Sequence, residues 1–419
     1  MPNTAATIED LYRKFPETPE LKVMRTDVLR EGVQLTPNLS EVGQWAVPEN
    51  LYVFEADHYV HLKQFEKMSQ SQRITAISQG WVNSPYGFRL RDDFLIQIGF
   101  NPESPYEIVG SGKEGDEHWL YRNGKQLEPI RFDTRPRWMD RKTSDGALMA
   151  NVLQIQGKGV LDGLLLRHCE YFNTNDSCRF CSIVGGSRET RKAGVKHEMG
   201  QRVQRLVETF DAALSEENEI LVLIMTGGSL IDDHREAEMW VGVWKALAEV
   251  KRAHLPKSRK TLLLCGMLAF EKEDNQRIKD AGLEVATNDM EVWAEHLWPA
   301  VVPGKQKYIG RENWLRRMVD AVDVFGRYAI STNFVVGVEL VQPWGFKTFE
   351  EGIASHEEGF RWCLENGIAP ITTIWRAKAG SAWAEIEPPP TEYFLRVGAI
   401  RRKLIKEYDM RTSALDIWK

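Results

Sequence analysis

Three cysteines lie close together near the middle of the sequence. Cys169, Cys178 and Cys181 fall within 13 residues, with eight residues in the first gap and two in the second. The other two cysteines, Cys265 and Cys363, stand alone. Five cysteines in 419 residues are too few for a disulfide framework, so the clustered thiols indicate metal ligation or redox chemistry.

Two kinds of metal site suit such a loop. Cysteine thiolates hold iron–sulfur clusters, and three of them on one loop can bind three corners of a [4Fe-4S] cluster. One iron then lacks a protein ligand and can bind a substrate or cofactor and pass it an electron. Phe180, just before the third thiol, is of a type that shields a cluster from water. The alternatives are a structural zinc site completed by His168 or His197, and a loop of inert buried thiols.

Short apolar runs alternate with longer amphipathic stretches from about residue 160 onward. The runs predict strands at 160–167, 220–226, 261–267, 283–287, 329–338 and 368–375. The stretches predict helices at 198–214, 234–252, 271–281, 311–325 and 349–366. This alternation predicts an α/β fold with a parallel sheet, either a partial (β/α)6 TIM-like barrel or, less favoured, an open doubly wound sheet. Ligands of such a barrel bind at the C-terminal ends of the strands.

The predicted barrel is flanked by an N-terminal domain and a C-terminal extension. Residues 1–150 predict a smaller strand-containing N-terminal α+β domain, with a helix at 7–15 and strand-rich runs between about 73 and 132. The barrel is predicted over 151–385. A C-terminal helical extension over 386–419 begins at the proline-rich start signal of residues 388–392.

Composition excludes several classes of protein. The apolar fraction is 42%, which is ordinary for a globular chain, and the net charge is −6. A weakly acidic chain has no global electrostatic reason to bind nucleic acid or an anionic membrane. No apolar run approaches the length of a membrane span, and the N-terminus resembles no secretion signal, so a cytoplasmic location is expected.

The cysteine loop resembles that of the radical S-adenosylmethionine superfamily, which places three cysteines after the first strand of a partial barrel. The two-residue second gap and the aromatic Phe180 match the usual motif, whereas the first gap has eight residues instead of three. The resemblance covers about residues 155–385 and extends to lipoyl-synthase-like and biotin-synthase-like members. It implies a [4Fe-4S] cluster on Cys169, Cys178 and Cys181 that binds S-adenosylmethionine through its open iron.

Residues after the later strands extend the resemblance. The end of the second strand is similar to the Gly-Gly-Glu motif that holds the methionine amino group by backbone contacts, with Ser in place of Glu; a simple turn is the alternative. After the fourth strand, an Asn…Glu segment resembles one that contacts the amino acid or ribose part of the cofactor. The fifth strand resembles one whose backbone lies near adenine. The positions concerned are Thr226, Gly227, Gly228, Ser229, Asn288, Glu291, Asn333 and Gly337.

Arg376 follows the sixth strand. At the mouth of a pocket its guanidinium could pair with the cofactor carboxylate or with an acidic group of the substrate; a surface ion pair is the alternative. Cys265, flanked by leucines on the third strand, is expected to be a buried inert thiol, and Cys363 a structural one.

The resemblance implies reductive cleavage of S-adenosylmethionine to a 5′-deoxyadenosyl radical, which abstracts hydrogen from a small metabolite. A ferredoxin or flavodoxin would supply the electron. Sulfur insertion is disfavoured because no cysteines remain for a second cluster. Rearrangement, carbon–carbon bond chemistry or dehydrogenation is expected instead. The alternative function is a zinc-stabilised α/β binding protein.

Overall fold

The structure is a computed structural model. It describes residues 7–34, 87–92, 94–97, 101, 104–111, 115–133, 136–157, 159–166, 168–183, 202–216, 219–377 and 381–410. The predicted strand-rich run at 73–82 and the alternative zinc ligand His197 lie outside the described residues.

One seven-stranded sheet forms the centre of the fold. Its strands are β6 (Gln154–Gly157), β7 (Val160–Leu166), β8 (Val222–Gly227), β9 (Leu262–Gly266), β10 (Val285–Thr287), β11 (Ile330–Val336) and β12 (Ile368–Ile374). Strands β7 to β12 run parallel and lie side by side in chain order, while β6 pairs antiparallel with β7 at the edge. The prediction of an α/β fold with a parallel sheet is confirmed.

Helices connect the parallel strands. They are α3 (Val203–Ser215), α4 (Asp233–Ala253), α5 (Lys272–Asp280), α6 (Trp298–Val301), α7 (Pro303–Tyr308), α8 (Arg311–Phe325) and α9 (Phe349–Glu365). Local sequence fixes several starts: the side chain of Asp232 caps α4, and Thr348 and Glu351 form a capping box at α9. The short helices α6 and α7 each have a proline in the first turn and were not predicted.

The two faces of the sheet bury different apolar clusters. Because side chains alternate along a strand, Leu264 belongs to a small cluster with Val222, Ile224 and Val285, whereas Cys265 belongs to the main core beneath the helices. Cys265 and Cys363 are both fully buried in that core. The prediction that they are structural thiols agrees with these positions.

The described part of the N-terminal region carries two helices and five strands. Helices α1 (Ile8–Lys14) and α2 (Glu20–Glu31) precede a two-stranded sheet of β1 (Gly87–Arg89) and β2 (Leu95–Gln97) and a three-stranded antiparallel sheet of β3 (Tyr106–Gly110), β4 (His118–Arg122) and β5 (Lys125–Ile130). Asn123 and Gly124 turn β4 into β5 with φ of 48° and 76°, as a tight hairpin requires. Helix α1 was predicted; α2 was not.

The last described helix, α10 (Thr391–Glu407), joins the N-terminal elements to the sheet region. Leu395 of α10 packs in the apolar cluster formed by the N-terminal helices and strands. A buried carboxylate links the same parts, since Asp27 of α2 accepts hydrogen bonds from Tyr106 at 2.6 Å and from Thr391 at 2.5 Å. Among the described helices, none combines the length and apolar character needed to cross a bilayer.

Candidate functional site

The cysteine loop follows β7 and is held against helix α7. The gap between the first two cysteines contains a helical turn, Glu170–Phe172, and then Asn175 with φ of 60°. Tyr171 stacks on Tyr308 of α7 with ring centroids 5.3 Å apart, and Gly304 N–H donates to the carbonyl of Asp176 at 2.7 Å. The extra residues of the first gap therefore form an ordered anchor for the thiols.

The three thiols face one cavity of about 180 Å³. None of the three is in a disulfide. Other residues that line the cavity come from the C-terminal ends of all six parallel strands and the segments that follow them, which is where parallel α/β folds bind ligands. They include Phe180, Thr226, Gly227, Gly228, Ser229, Glu236, Met267, Asp289, Glu291, Lys305, Trp314, Asn333, Trp375 and Arg376.

The chemistry of this donor set fits an iron–sulfur cluster. Burial raises the pKa of Cys169, and raises that of Cys178 well above the usual value, so their thiolates need a metal's positive charge beside them. Among the described residues, no three His, Cys, Asp or Glu side chains lie close enough together to hold a single metal ion. His168, a predicted alternative zinc ligand, has its Nε2 atom 3.1 Å from the side-chain amide of Asn173. The zinc alternative is therefore not favoured.

The two glycines after β8 pack directly on the cysteine loop. A Cβ atom at Gly228 would collide with the carbonyl oxygen of His168 and lie 2.7 Å from the Cα atom of Cys169. Two backbone hydrogen bonds fix the contact: Gly228 N–H donates to Leu166 at 2.8 Å, and Glu170 N–H donates to Ser229 at 2.8 Å. A simple turn would not need glycine here, whereas this backbone contact does.

A buried charged group, Lys305, lines the same cavity as these glycines. Lys305 donates to the carboxylate of Glu291 at 2.8 Å and also to the carbonyl of Asp289, and its ammonium lies 4.8 Å from the ring centroid of Trp314. Burial alone would lower the pKa of Lys305. The negative charges of Glu291, Cys178 and Asp289 outweigh this effect, so the pKa of Lys305 is raised. Burial and then Glu291 raise the pKa of Asp289 to about 7.

Two predicted site residues, Asn288 and Gly337, are not among the described residues that line the cavity. Asn288 is fully buried, and its side-chain amide donates to the carbonyls of Leu268 at 2.8 Å and Met267 at 3.4 Å. Gly337 has φ of 109° and packs against Pro389. Asp289, Lys305 and Glu236 were missed. Asp289 could have been predicted as a cavity residue from its sequence position, because it lies between Asn288 and Glu291 after the same strand.

Lys305 offers a direct test of this arrangement. We expect Lys305→Met to lower the free energy of unfolding by about 3–5 kcal/mol, because it leaves Glu291 buried without a positive partner. Denaturant titration of the full chain measures the loss. The double variant Lys305→Met with Glu291→Gln removes both charges and should recover most of it. Equal instability of the single and double variants would contradict the pairing.

Glu236 at the start of α4 is a buried carboxyl group on the cavity wall. It is 1% exposed and accepts hydrogen bonds from Leu230 N–H at 2.8 Å and from the indole of Trp240 at 3.4 Å. Burial raises its pKa from 4.5 to about 8. The folded protein therefore holds a proton at neutral pH that the unfolded chain has released.

A pH dependence of stability follows from this raised pKa. Between about pH 4.5 and 8 the folded state binds more protons at Glu236 than the unfolded state, so its contribution to stability falls as pH rises. We expect Glu236→Gln to gain stability relative to the unsubstituted protein over this range, by at most about 1.4 kcal/mol per pH unit. Thermal unfolding of both proteins at several pH values measures the difference. A difference that stays constant with pH would contradict the raised pKa.

Comparison with known proteins gives one related sequence. Bacteriochlorophyllide c C-7(1)-hydroxylase from Chlorobaculum limnaeum is 22% identical over 319 residues, which cover 74% of this chain and 75% of that protein. No protein-family model matches the sequence.

Two solved structures share the fold only loosely. Methylornithine synthase (PylB) is 12% identical with a TM-score of 0.42, over 58% of this chain and 62% of that one. A radical SAM methyltransferase from Sphaerobacter thermophilus is 12% identical with a TM-score of 0.40, over 96% and 92%. TM-scores of this size carry no argument about function.

Proposed function

We propose that the chain is an enzyme of the radical S-adenosylmethionine superfamily, with a [4Fe-4S] cluster and S-adenosylmethionine as cofactors. Cys169, Cys178 and Cys181 hold the cluster, and the cavity they face is the site where S-adenosylmethionine is cleaved. The observation that carries this proposal is that three thiols without disulfide partners and the Gly227–Gly228 backbone line the same cavity. When bound, the cluster and S-adenosylmethionine together supply a radical able to take a hydrogen atom from a small metabolite. The protein orients these groups and keeps water away from them.

Different residues around the cavity bind different parts of the cofactor. The backbone at Gly227 and Gly228, with Thr226 and Ser229, holds the methionine part of the cofactor. Glu291 holds the amino acid or ribose part, the end of β11 at Asn333 lies beside the adenine, and Arg376 pairs with a carboxylate of cofactor or substrate. Supporting contacts fix these side chains: Thr373 donates to Asn333 at 2.9 Å, and Lys305 holds Glu291. Phe180 packs at the edge of the main core, where it excludes water from the thiols.

The architecture we propose is the partial (β/α)6 barrel expected from the sequence, over residues 151–385. The six parallel strands in chain order support it, because ligands of such barrels bind where this cavity lies. Residues 1–150 form an accessory domain and residues 386–419 a helical extension.

The cysteine positions favour a single-cluster reaction. Sulfur-inserting members of the superfamily need a second cluster, and the two remaining cysteines, Cys265 and Cys363, are fully buried in the core. Neither lines the cavity. We therefore propose rearrangement, carbon–carbon bond chemistry or dehydrogenation of a small metabolite. A ferredoxin or flavodoxin would deliver the electron, in the cytoplasm.

Anaerobic reconstitution tests the proposed function. We expect about four irons per chain, a brown protein with a broad visible band, and 5′-deoxyadenosine after dithionite is added in the presence of S-adenosylmethionine. The same mixture without dithionite is the control. About eight irons per chain would contradict the single cluster. A colourless protein with one zinc, or a brown protein without affinity for S-adenosylmethionine, would contradict the function.

A further inference from the structure

Helices α2 and α10 contact each other, and together they carry four neighbouring cations. Lys22 and Arg25 lie one turn apart on α2, and Arg401 and Arg402 are adjacent on α10. All four are half-buried. We call these residues the basic cluster.

Packing and hydrogen bonds fix the arginines of the basic cluster in place. The Arg401 Nε–H donates to the carbonyl of Pro370 at 2.6 Å, and an Arg402 Nη2–H donates to the hydroxyl of Thr18 at 3.2 Å. The guanidinium carbon of Arg25 lies 3.5 Å from the ring centroid of Phe94. None of these contacts supplies a negative charge.

Among the described residues, the basic cluster lacks acidic partners of the kind that other cations of the chain have. Within the described ranges, no carboxylate forms a salt bridge with any of the four, and Asp92 acts on Arg25 only from a distance. On the same helix α10, by contrast, Arg396 pairs with Glu350 at 3.0 Å. Lys22 also lies in the first turn of α2, which has no side-chain cap and where the helix dipole disfavours a cation.

The titration behaviour of the basic cluster reflects this unbalanced charge. Burial, followed by repulsion from Arg402, Arg25 and Arg401, lowers the pKa of Lys22 to about 8. Burial and then Arg402 lower the pKa of Arg401 to about 10. Holding four like charges together in a half-buried place destabilises the fold unless an anion offsets them.

We propose that the basic cluster is a binding site for a phosphate group. The guanidinium groups and the Lys22 ammonium together carry many N–H donors for a doubly charged oxyanion, in addition to those that Arg401 and Arg402 use on Pro370 and Thr18. The site is separate from the cavity. Arg401 contacts β12 at its third residue, Pro370, whereas the cavity is lined by residues 373–376 at the other end of that strand. The inference is therefore independent of the proposed function.

Phosphate binding by the full-length, cluster-loaded protein tests the proposal. We expect inorganic phosphate or glycerol 3-phosphate to raise the Tm at pH 7 relative to chloride at equal ionic strength. Isothermal titration with both probes then distinguishes free phosphate from a phosphate monoester, and binding of either one supports the site. Lys22→Gln and Arg402→Gln should each weaken binding by about tenfold or more.

A matched control separates this site from general surface charge. Lys403→Gln removes an exposed cation next to the basic cluster and should change the affinity by less than about threefold. Without phosphate, Lys22→Gln should keep or raise the Tm because it relieves repulsion, whereas loss of a purely structural lysine would lower it. The proposal would be overturned if neither probe raised the Tm. It would also be overturned if Lys22→Gln and Arg402→Gln both left the phosphate affinity unchanged.

Discussion

Replacing Cys178 with alanine is expected to abolish the chemistry of the cavity. The variant should fall from about four irons to less than about one per chain after reconstitution, because two thiolates cannot hold a [4Fe-4S] cluster stably. Formation of 5′-deoxyadenosine should fall by at least about 100-fold, since even lesser changes around a metal site cost that much. Iron analysis and quantification of the nucleoside after dithionite reduction measure the two effects.

Cys363→Ala is the matched control for this substitution. Cys363 is a fully buried thiol that lies on α9 within the main core and does not line the cavity, whereas Cys178 is partly buried and lines it. Its replacement should cost only about 1 kcal/mol of stability through a small void and leave iron content and nucleoside formation intact. Unaltered iron content in Cys178→Ala, or loss of iron in Cys363→Ala, would contradict the assignment of the cluster ligands.

Most elements of the parallel sheet could be predicted because its strands are covered on both faces. Such strands read as continuous apolar runs, and β11, Ile330–Val336, lies within the run predicted at 329–338. Helix α8 occupies its predicted bounds because its amphipathic stretch ends at Gly326, whose φ is 104°. The edge strand β6 was missed because its sequence, Gln-Ile-Gln-Gly, is mostly polar.

Helix α2 shows why the N-terminal region was harder to predict. It begins after Pro19 without a side-chain cap, and one of its buried positions is Asp27, which pattern reading assigns to solvent. The partners of that carboxylate in the described residues are Tyr106, Thr391 and Arg122, whose Nε atom lies 3.3 Å away, and all three are distant in sequence. Contacts between residues far apart in sequence therefore decide this helix, and its own residues do not reveal them.

For the site, the sequence indicates which strand ends matter but not which side chains face the cavity. Asn288 and Asp289 are neighbours after β10, yet Asn288 turns towards Leu268 and Asp289 lines the cavity. The left-handed backbone of Glu291, with φ of 69°, then places its carboxylate beside Lys305. Lys305 lies on a six-residue helix that has no periodic signal of its own. Orientation at this scale depends on the folded backbone.

Gly228→Ala is expected to impair the site through one added methyl group. The new Cβ would meet the backbone of His168 and Cys169, which cannot move without shifting the first cluster ligand. Overpacking of this kind costs about 1–3 kcal/mol, and a displaced ligand lowers metal affinity by about 10–100-fold. We expect reduced iron content, at least about tenfold weaker binding of S-adenosylmethionine, and correspondingly less 5′-deoxyadenosine.

Gly242→Ala distinguishes this contact from a general effect of removing glycine. Gly242 lies within α4, and apart from the backbone of its own helix no described residue has a heavy atom within 4 Å of a Cβ atom built there. Alanine at this position should stabilise the helix by up to about 1 kcal/mol and leave iron content and cofactor binding unchanged. The two substitutions add the same methyl group, so opposite effects on stability would locate the requirement for glycine at the Cys169 contact. If Gly228→Ala instead retained full iron content and affinity, the glycine pair would be a turn without a role in the site.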